Sequence, residues 1–465
     1  RMFFFSAKFF LCLVFGVLSL AAAVWTVIVD PILLFSRYCS RVDYGTFVHE
    51  ALSKETDSIH LSAYLFNITN ADRFLSGEDT KLKMQEVGPF TYQENRTNED
   101  LEIDKEAGVM RYSPRHRITF LPEESVGRPE DIMLTMPNMA MLSIASGVSN
   151  FGYLAKMGFN MLASRLRSNA TVQMSAHDYL WGYHEPLIEV GNTLLPGLIN
   201  FEKLGLLDRL YDETAPFRIE VSATEEDKFM IKSVNGLGGL EAWGYPETSF
   251  NGSFEGLGYP SGMSPDRPLK IYRNVLCRFM ELEYVGERTM DFGVEGMAFK
   301  FSNRSYSKIP ENECLCSKGI CYDGISDLSP CFYGLPVVLS NAHFLDANPL
   351  LYDRIEGMTP NEEQHGSGFT VERKIGMVMT TKFSVQVNVA VRDVGFNAKI
   401  SRFSDMFVPI AYFKIVTAHT SVAPFAYILT AFQGAQLVSW RVTVCQQFSI
   451  LNVERQTPFS SGNRS

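Results

Sequence analysis

Phe383–Val391, FSVQVNVAV, gives the clearest structural signal in the chain. Apolar residues at every second position alternate with Ser384, Gln386 and Asn388, which is typical of a β-strand with one buried face and one face in water. Antiparallel sheets commonly leave one face in water, so the pattern predicts an antiparallel sheet. We expect these three polar side chains to face solvent.

Further strand-like segments lie on the amino-terminal side of this stretch, with glycine and proline between them. They are His60–Thr69, Met110–Phe120, Phe217–Ser222, Phe229–Val234 and Met297–Asn303. Phe47–Ser53 is a candidate for a short helix. Because no alternation of strands with long helices indicates a parallel sheet, we expect one large β-rich α+β domain.

Residues 136–168 have a different pattern. Apolar residues at helical spacing predict one or two helices, with a break near Gly147 or Gly152. These apolar residues are Leu154, Met157, Met161 and Leu162. Seven of the nineteen methionines lie between Met133 and Met174. Methionine suits surfaces that bind varied apolar ligands but also fills protein cores, so both interpretations stay open.

Three basic residues lie on or just after these helices, without a nearby acid in the sequence. They are Lys156, Arg165 and Arg167. Such residues are either solvated charges at a helix end or a patch that receives anions, and the sequence alone allows both.

Phe9–Val29 is an uncharged run of twenty-one residues. As a helix it would be roughly 31 Å long, enough to cross a bilayer core of about 30 Å. The alternative is a signal peptide cleaved near Ala21–Ala23, but the apolar run continues past that point. Since Arg1 and Lys8 precede the run, the positive-inside rule places the amino terminus in the cytoplasm and the rest of the chain outside.

Charge and glycosylation signals fit an extracytoplasmic protein. The net charge of −10 argues against nucleic-acid binding, which requires an excess of Lys and Arg on at least one face. Several Asn-x-Ser/Thr sequences are present, and these are glycosylated only in secreted material. The acceptor residues are Asn67, Asn95, Asn169, Asn251, Asn303 and Asn463.

Five of the eight cysteines are concentrated near the middle of the chain. They are Cys277, Cys314, Cys316, Cys321 and Cys331. Their spacing lacks the paired short knuckles of structural zinc, and an oxidising compartment favours disulfides. We therefore expect disulfides and no metal site.

The sequence contains no motif of a serine hydrolase, a phosphate-binding loop or a zinc protease. The histidines, His177, His184 and His343 among them, form no ligand cluster that the sequence reveals. We expect no enzyme activity and no cofactor.

Several ordered motifs carry a family resemblance. They are Leu65–Asn70, Phe74–Gly77, Gln85–Phe90, Leu180–Pro186, the Cys314–Cys331 cluster, Gly334–Val337 with Ser340, His343, Phe344 and Leu345, and Gly357–Asn361 with His365. Over roughly residues 3–413 the chain resembles the class B scavenger receptor family. This family includes the fatty-acid translocase, the high-density-lipoprotein receptor, the lysosomal integral membrane glycoprotein and the insect sensory neuron membrane proteins. The overall sequence resembles an insect-type member.

The resemblance implies a two-pass membrane glycoprotein with both termini inside, an antiparallel β-barrel and a helical cluster at the membrane-distal apex. A hydrophobic tunnel through the ectodomain would carry lipid from the apex toward the bilayer. Arg165 and Arg167 match a pair of apical lysines in the fatty-acid translocase, which favours the anion-receiving role.

The resemblance also implies two disulfides, Cys277–Cys331 and Cys316–Cys321, and leaves Cys314 as an odd thiol. It is lost in the carboxyl-terminal segment, where 421–440 is a weak candidate for a second membrane span. The expected organisation is a cytoplasmic segment 1–8, an anchor 9–29, an ectodomain 30–413 with apical helices at about 136–168, and a divergent segment 414–465.

The sequence thus predicts a plasma-membrane scavenger receptor that mediates lipid uptake. Its expected ligands are fatty acids, sterols, carotenoids or phospholipids, together with lipoproteins and other anionic particles. A carrier of a luminal enzyme in the lysosomal or endosomal membrane is the main alternative. A membrane-anchored lipid hydrolase is a weaker alternative, because catalytic motifs are absent.

Overall fold

The computed structural model describes residues 7–29, 38, 40–194, 203–211, 217–244, 248–290, 294–307, 322–332 and 334–417. The strands are β1 (Thr56–Ile68), β2 (Leu82–Asp104), β3 (Val109–Phe120), β4 (Met133–Pro137), β5 (Thr171–Ser175), β6 (Ile219–Ser222), β7 (Ile231–Val234), β8 (Ser253–Phe254), β9 (Leu269–Arg273), β10 (Arg278–Thr289), β11 (Glu295–Phe301), β12 (Ser326–Asp327), β13 (Val337–Ser340), β14 (Ile355–Glu356), β15 (Gly368–Glu372), β16 (Val378–Val391) and β17 (Met406–Thr417).

The α-helices are shorter than the longest strands, except for the first. They are α1 (Ala7–Val29), α2 (Phe47–Ser53), α3 (Ala71–Ser76), α4 (Met139–Val148), α5 (Tyr153–Arg165), α6 (Ala176–Trp181), α7 (Pro186–Leu194), α8 (Leu206–Leu210) and α9 (Glu362–His365). The predicted helix at Phe47–Ser53 is confirmed as α2, and the Thr46 side chain caps it by accepting a hydrogen bond from the His49 N–H.

The predicted anchor falls on α1, in which the structure describes the side chains of residues 13–25 and 28. Within the described residues, no helix combines the length and the apolar character that a membrane crossing requires. The anchor therefore stays a prediction. The candidate second span at 421–440 lies outside the described residues.

Fifteen strands form one sheet that nearly closes into a barrel. Their order is β7-β6-β3-β2-β1-β17-β16-β15-β11-β10-β9-β8, with β12 and β13 attached through β16 and β14 attached to β2. An isolated bridge between Met230 and Phe254 brings the two ends of this order together. The β-rich α+β prediction is confirmed.

The prediction of a purely antiparallel barrel is wrong, because the sheet is mixed. Strand β8 runs parallel to β9, and β14 runs parallel to β2. Parallel neighbours need a crossover of about a dozen residues or more, and residues 255–268 supply one between β8 and β9. The composition of these two-residue strands gave no sign of their direction.

Strand β16 is buried on both faces over its carboxyl-terminal half. Ser384, Gln386 and Asn388 are fully buried, so the prediction of a solvent-exposed face is wrong. Protein partners replace water there: Gln386 Oε1 accepts from the His343 N–H at 2.7 Å, and Asn388 Nδ2 donates to Ser340 Oγ at 3.0 Å. Gln386 and Asn388 are therefore satisfied by protein groups, whereas the buried Ser384 hydroxyl has no hydrogen-bond partner among the described residues.

Helices α4 and α5 confirm the two predicted helices, with the break at residues 149–152. The first helix begins later than predicted, because Met136 and Pro137 belong to β4. Asn138 caps α4 by accepting from the Met141 N–H. The Ser146 hydroxyl donates to the Ala390 carbonyl, which holds α4 against the end of β16.

Candidate functional site

An apolar pocket lies between helices α4, α7 and α8 on one side and strands β13, β16 and β17 on the other. Its empty volume, counted together with the space that is open to solvent, is about 640 Å³. Ser143 and Arg209 are its polar side chains. The lining residues are Met139, Ala140, Ser143, Ile188, Leu204, Gly205, Leu206, Arg209, Leu210, Phe332, Leu335, Val337, Val387 and Phe413.

Arg209 is the cationic side chain of the pocket. Its Nη2 lies 2.6 Å from Asp208 Oδ2, and the side chain is 19% exposed. A negatively charged head group in the pocket would therefore share this guanidinium with Asp208.

A disulfide between Cys277 and Cys331 lies beside the pocket, since the next residue, Phe332, is part of the lining. The Trp243 indole N–H also donates to the Cys277 carbonyl at 3.0 Å, which adds a second contact on the same segment. The disulfide agrees with the pairing that the resemblance implies. Cys314, Cys316 and Cys321 lie outside the described residues.

Helix α5 presents an apolar face to solvent. Leu154, Met157 and Met161 are 82%, 42% and 70% exposed. At 3.6 residues per turn, Arg165 lies at the carboxyl end of this same face. We call these four residues the α5 outer face. Arg167 follows just after the helix and is exposed, with a left-handed backbone φ of 55°.

Lys156 does not belong to the α5 outer face. Arg165 lies nine positions after it, which is two and a half helical turns, so the two side chains leave the helix on opposite sides. The Lys156 ammonium lies 5.4 Å from the centre of the Phe396 ring, and Asn160 donates to the Phe396 carbonyl at 2.7 Å. The predicted patch of three cations is therefore divided, and Lys156 helps to pack α5 on residues 396–397.

The methionines of this region are divided in the same way. Met136, Met139 and Met141 are buried, whereas Met157 and Met161 are exposed. The core interpretation is thus confirmed for Met136, Met139 and Met141, whereas the ligand-binding interpretation stays a prediction for the exposed methionines.

A polar cluster that the sequence did not reveal lies on the other side of the barrel wall. The cluster consists of Glu86, His343 and His365, and one carboxylate oxygen or ring nitrogen of each lies within 4.8 Å of the other two. His343 Nε2 lies 2.6 Å from Glu86 Oε2, and the two imidazole rings stack with their centres 4.2 Å apart. The sequence signal was limited to the presence of all three residues in separate family motifs, because only the fold brings them together.

Hydrogen bonds fix the tautomer of both histidines. Nδ1 of His343 accepts from the Thr359 N–H at 3.0 Å, and Nδ1 of His365 accepts from the Asn361 N–H at 3.1 Å. An accepting ring nitrogen carries no proton, so each neutral ring carries its proton on Nε2. Histidines that bind metal have the opposite pattern, with the second ring nitrogen as a donor. The cluster is therefore better suited to hydrogen bonding than to metal binding.

The environment sets the charge of the cluster. Burial, together with the charges of His343, Lys382 and Lys414, lowers the pKa of His365 to about 4. Burial opposes ionisation of Glu86, yet hydrogen bonds from His343 and Tyr412 bring the pKa of its carboxyl below the usual value. At neutral pH an ionised Glu86 thus lies beside a neutral His365.

The glycosylation acceptors differ in their surroundings. Asn169, Asn251 and Asn303 are exposed, whereas Asn67 and Asn95 are partly buried on β1 and β2. Asn463 lies outside the described residues. Occupancy by glycans stays a prediction at each position.

A sequence model of the CD36 family matches residues 8–451, nearly the whole chain. The chain belongs to the CD36 family. This membership confirms the resemblance that the motifs indicate, while the insect-type assignment stays a prediction.

Several relatives of this CD36 family member are mammalian membrane proteins. Scavenger receptor class B member 1 of Bos taurus is 26% identical, over 76% of this chain and 70% of its own length. The same receptor of Mus musculus is 22% identical, over 86% and 79%. Lysosome membrane protein 2 of Mus musculus is 24% identical, over 79% and 76%. These names describe receptors and membrane proteins rather than enzymes, in agreement with the lack of catalytic motifs in the sequence.

Proposed function

We propose that this CD36 family member is a class B scavenger receptor that binds lipids and anionic lipid particles and mediates lipid uptake at the plasma membrane. The observation that carries the proposal is the apolar pocket between α4, α7, α8 and the barrel wall. Its ligands are lipids that offer a long apolar body, such as fatty acids, sterols, carotenoids or phospholipids.

The pocket lining suits an acyl chain or an apolar ring system. Each buried methylene contributes about 0.8 kcal/mol, so eight methylenes contribute about 6 kcal/mol before the cost of ordering the ligand. The pocket surface is almost entirely apolar, so it favours the apolar body of a lipid over its polar head group.

The α5 outer face is the proposed capture surface. Leu154, Met157 and Met161 offer adaptable apolar contacts, and exposed apolar patches of this kind commonly bind partners. Arg165 and Arg167 add positive charge for carboxylates or for the surface of an anionic particle. In this proposal α5 captures the lipid, and the pocket then stores or transfers it.

The proposal keeps Phe9–Val29 as the membrane anchor and places the barrel outside the cell. An apolar helix of this length can cross a bilayer, and the preceding Arg1 and Lys8 favour a cytoplasmic amino terminus. Residues 421–440 remain the candidate for a second span.

Ser143→Phe tests the pocket directly, because the added ring would occupy the space of the ligand. Full-length protein is purified in mild detergent, co-purified lipids are identified by mass spectrometry, and binding of a fluorescent fatty acid is titrated. We expect Ser143→Phe to lower the affinity at least tenfold. Ser76→Phe, the same change on the exposed helix α3, is the control and should bind like the wild type. Equal binding by all three proteins would remove the pocket from the proposal.

The relationship to lysosome membrane protein 2 supports a second candidate, a carrier of a luminal enzyme in the lysosomal membrane. Surface biotinylation compared with lysosomal staining distinguishes the two. A pool that is mostly at the cell surface supports the receptor, and a pool confined to lysosomes supports the carrier.

A further inference from the structure

Residues 355–366 form one segment that is largely exposed to solvent. Their first part, β14, pairs in parallel with Leu82 and Lys83 of β2. Gly357 follows with φ of 105°, and a Cβ there would lie 2.0 Å from the Met84 carbonyl oxygen, so only glycine allows this approach. The segment is therefore in close contact with β2 before it reaches the two histidines.

The second part of the segment is attached through imidazole acceptors. The Thr359 N–H donates to His343 Nδ1, and the Asn361 N–H donates to His365 Nδ1. Both imidazole side chains are buried, at 2% and 3% exposure. Backbone N–H groups cannot change their role from donor to acceptor, so each bond requires an unprotonated Nδ1.

We propose that residues 355–366 form a proton-operated latch, which the accepting Nδ1 atoms of His343 and His365 hold on the barrel and which opens in an acidic compartment when these atoms are protonated. Protonation places an N–H on Nδ1, directly opposite the backbone N–H from which Nδ1 formerly accepted a hydrogen bond. The hydrogen bond is lost, and two donors then face each other in a buried site. Opening exposes the imidazoles to water, where their charge is solvated.

The charged and titratable neighbours of His365 come from four elements. Glu86 on β2 favours a positive His365, whereas His343, Lys382 on β16 and Lys414 on β17 disfavour it. Tyr412 on β17 donates to Glu86, and Glu362 and Glu363 on α9 lie near Lys382. Burial and the cations outweigh Glu86, which keeps His365 neutral in the closed state and makes acid-driven opening favourable.

The latch and the lipid pocket lie on opposite faces of the same layer of the sheet. Gln386, which accepts from the His343 N–H, precedes Val387 of the pocket, and Tyr412 of the cluster precedes Phe413 of the pocket. Opening the latch therefore removes support from the strands that line the pocket. This consequence rests on the proposed lipid-binding function and predicts faster release of ligand in an acidic compartment.

Hydrogen exchange with mass spectrometry on the full-length protein tests the latch without any ligand. Exposure times at pH 7.4, 6.0 and 5.0 are scaled to the intrinsic exchange rate at each pH. We expect corrected exchange in peptides from residues 357–366 to rise at least tenfold from pH 7.4 to pH 5.0, while peptides from β16 change less than twofold. Exchange that does not depend on pH in this segment would overturn the proposal.

Variants then assign the response to the imidazoles. In His365→Asn the amide oxygen can still accept from the Asn361 N–H but cannot be protonated in this range, so we expect the rise near residue 361 to fall at least fivefold. His184→Asn changes an exposed histidine elsewhere and should keep the wild-type response. An unchanged response in His365→Asn contradicts the latch, and if this variant does not fold, the wild-type pH series decides alone.

Release of a fluorescent fatty acid at pH 7.4 and 5.0 tests the link to the pocket. Faster release at pH 5.0, lost in His365→Asn, supports the link, and retention despite an open segment contradicts it. A protein that binds no fatty acid at pH 7.4 contradicts the proposed function instead, and the exchange experiment still decides on the latch.

Discussion

Tyr412 and Phe413, consecutive residues of β17, face opposite sides of the barrel wall. The Phe413 ring lines the apolar pocket. The Tyr412 hydroxyl donates to Glu86, and its ring lies 5.5 Å from that of His343. Because side chains alternate along a strand, one residue step separates the proposed lipid site from the polar cluster.

Tyr412→Phe and Phe413→Leu should therefore separate the two sides. Tyr412→Phe removes one hydrogen bond to Glu86 and should lower the free energy of unfolding by about 1 kcal/mol. Fatty-acid affinity should change less than twofold in this variant, but several-fold in Phe413→Leu, because only the latter reshapes the pocket. Denaturant unfolding and ligand titration measure both quantities, and an equal loss of affinity in the two variants would contradict this separation.

The two faces of α5 lead to a second prediction. Arg165→Ala with Arg167→Ala should weaken binding of anionic lipid particles at least fivefold at low salt, with a smaller difference at high salt because the attraction is electrostatic. Lys156→Ala should leave that binding unchanged and lower stability by about 0.5–1 kcal/mol through loss of its contact with Phe396. Binding of anionic vesicles at two salt concentrations checks this, and a stronger effect of Lys156→Ala would reverse the assignment.

A buried carboxylate on β2 should make stability depend on pH. Burial opposes its ionisation, yet His116 and Tyr211 hydrogen-bond to Glu94 and lower its pKa to about 2. Since the pKa is below its unfolded value, ionised Glu94 stabilises the fold above about pH 4.5, and this contribution is lost as the pH falls toward 2. The shift corresponds to about 3 kcal/mol.

Glu94→Gln should accordingly destabilise the protein by about 3 kcal/mol at pH 7 and by much less near pH 2–3. Chemical unfolding followed across this pH range measures the difference. Glu99→Gln is a control, because Glu99 pairs with Arg115 at the surface with 56% exposure and should cost less than about 1 kcal/mol. A loss in Glu94→Gln that is the same at every pH would show that packing, not charge, is responsible.

The disulfide should contribute to both stability and binding. Cys277 and Cys331 are 54 residues apart, and closing a loop of this length is worth about 4 kcal/mol in the chain-entropy description. Replacing both by serine should lower the unfolding free energy by about this amount and weaken fatty-acid binding, because Phe332 of the pocket follows Cys331. Non-reducing peptide mapping identifies the bond, and a double variant with wild-type stability and affinity would contradict this role.

The sequence predicted the alternation of side chains along a strand better than the burial of each face. The alternation in Phe383–Val391 correctly indicated a strand, but it could not show that Ser384, Gln386 and Asn388 are buried. Their surroundings include the neighbouring strand β13 and the segment around His343, which are far away in the sequence. A period of two identifies two faces and does not say what covers each.

The sequence predicted only the part of the candidate site that depends on the spacing of residues along one helix. Helical spacing placed Leu154, Met157 and Met161 on one face, and only the structure shows that this face is exposed. The pocket and the cluster of Glu86, His343 and His365 depend on contacts between distant segments, which the sequence does not record. The family resemblance supplied the expectation of a hydrophobic passage, which stays a prediction, and the structure shows an apolar pocket.

Photo-crosslinking with a diazirine-bearing fatty acid tests the central claim, that the pocket beneath α4 binds lipid, most directly. The full-length protein is labelled at low ligand concentration, digested and mapped by mass spectrometry. The account predicts adducts on peptides that contain Met139–Ser143, Leu335–Val337 or Phe413, and their loss in Ser143→Phe. Adducts confined to other surfaces, or labelling that Ser143→Phe leaves unchanged, would contradict it.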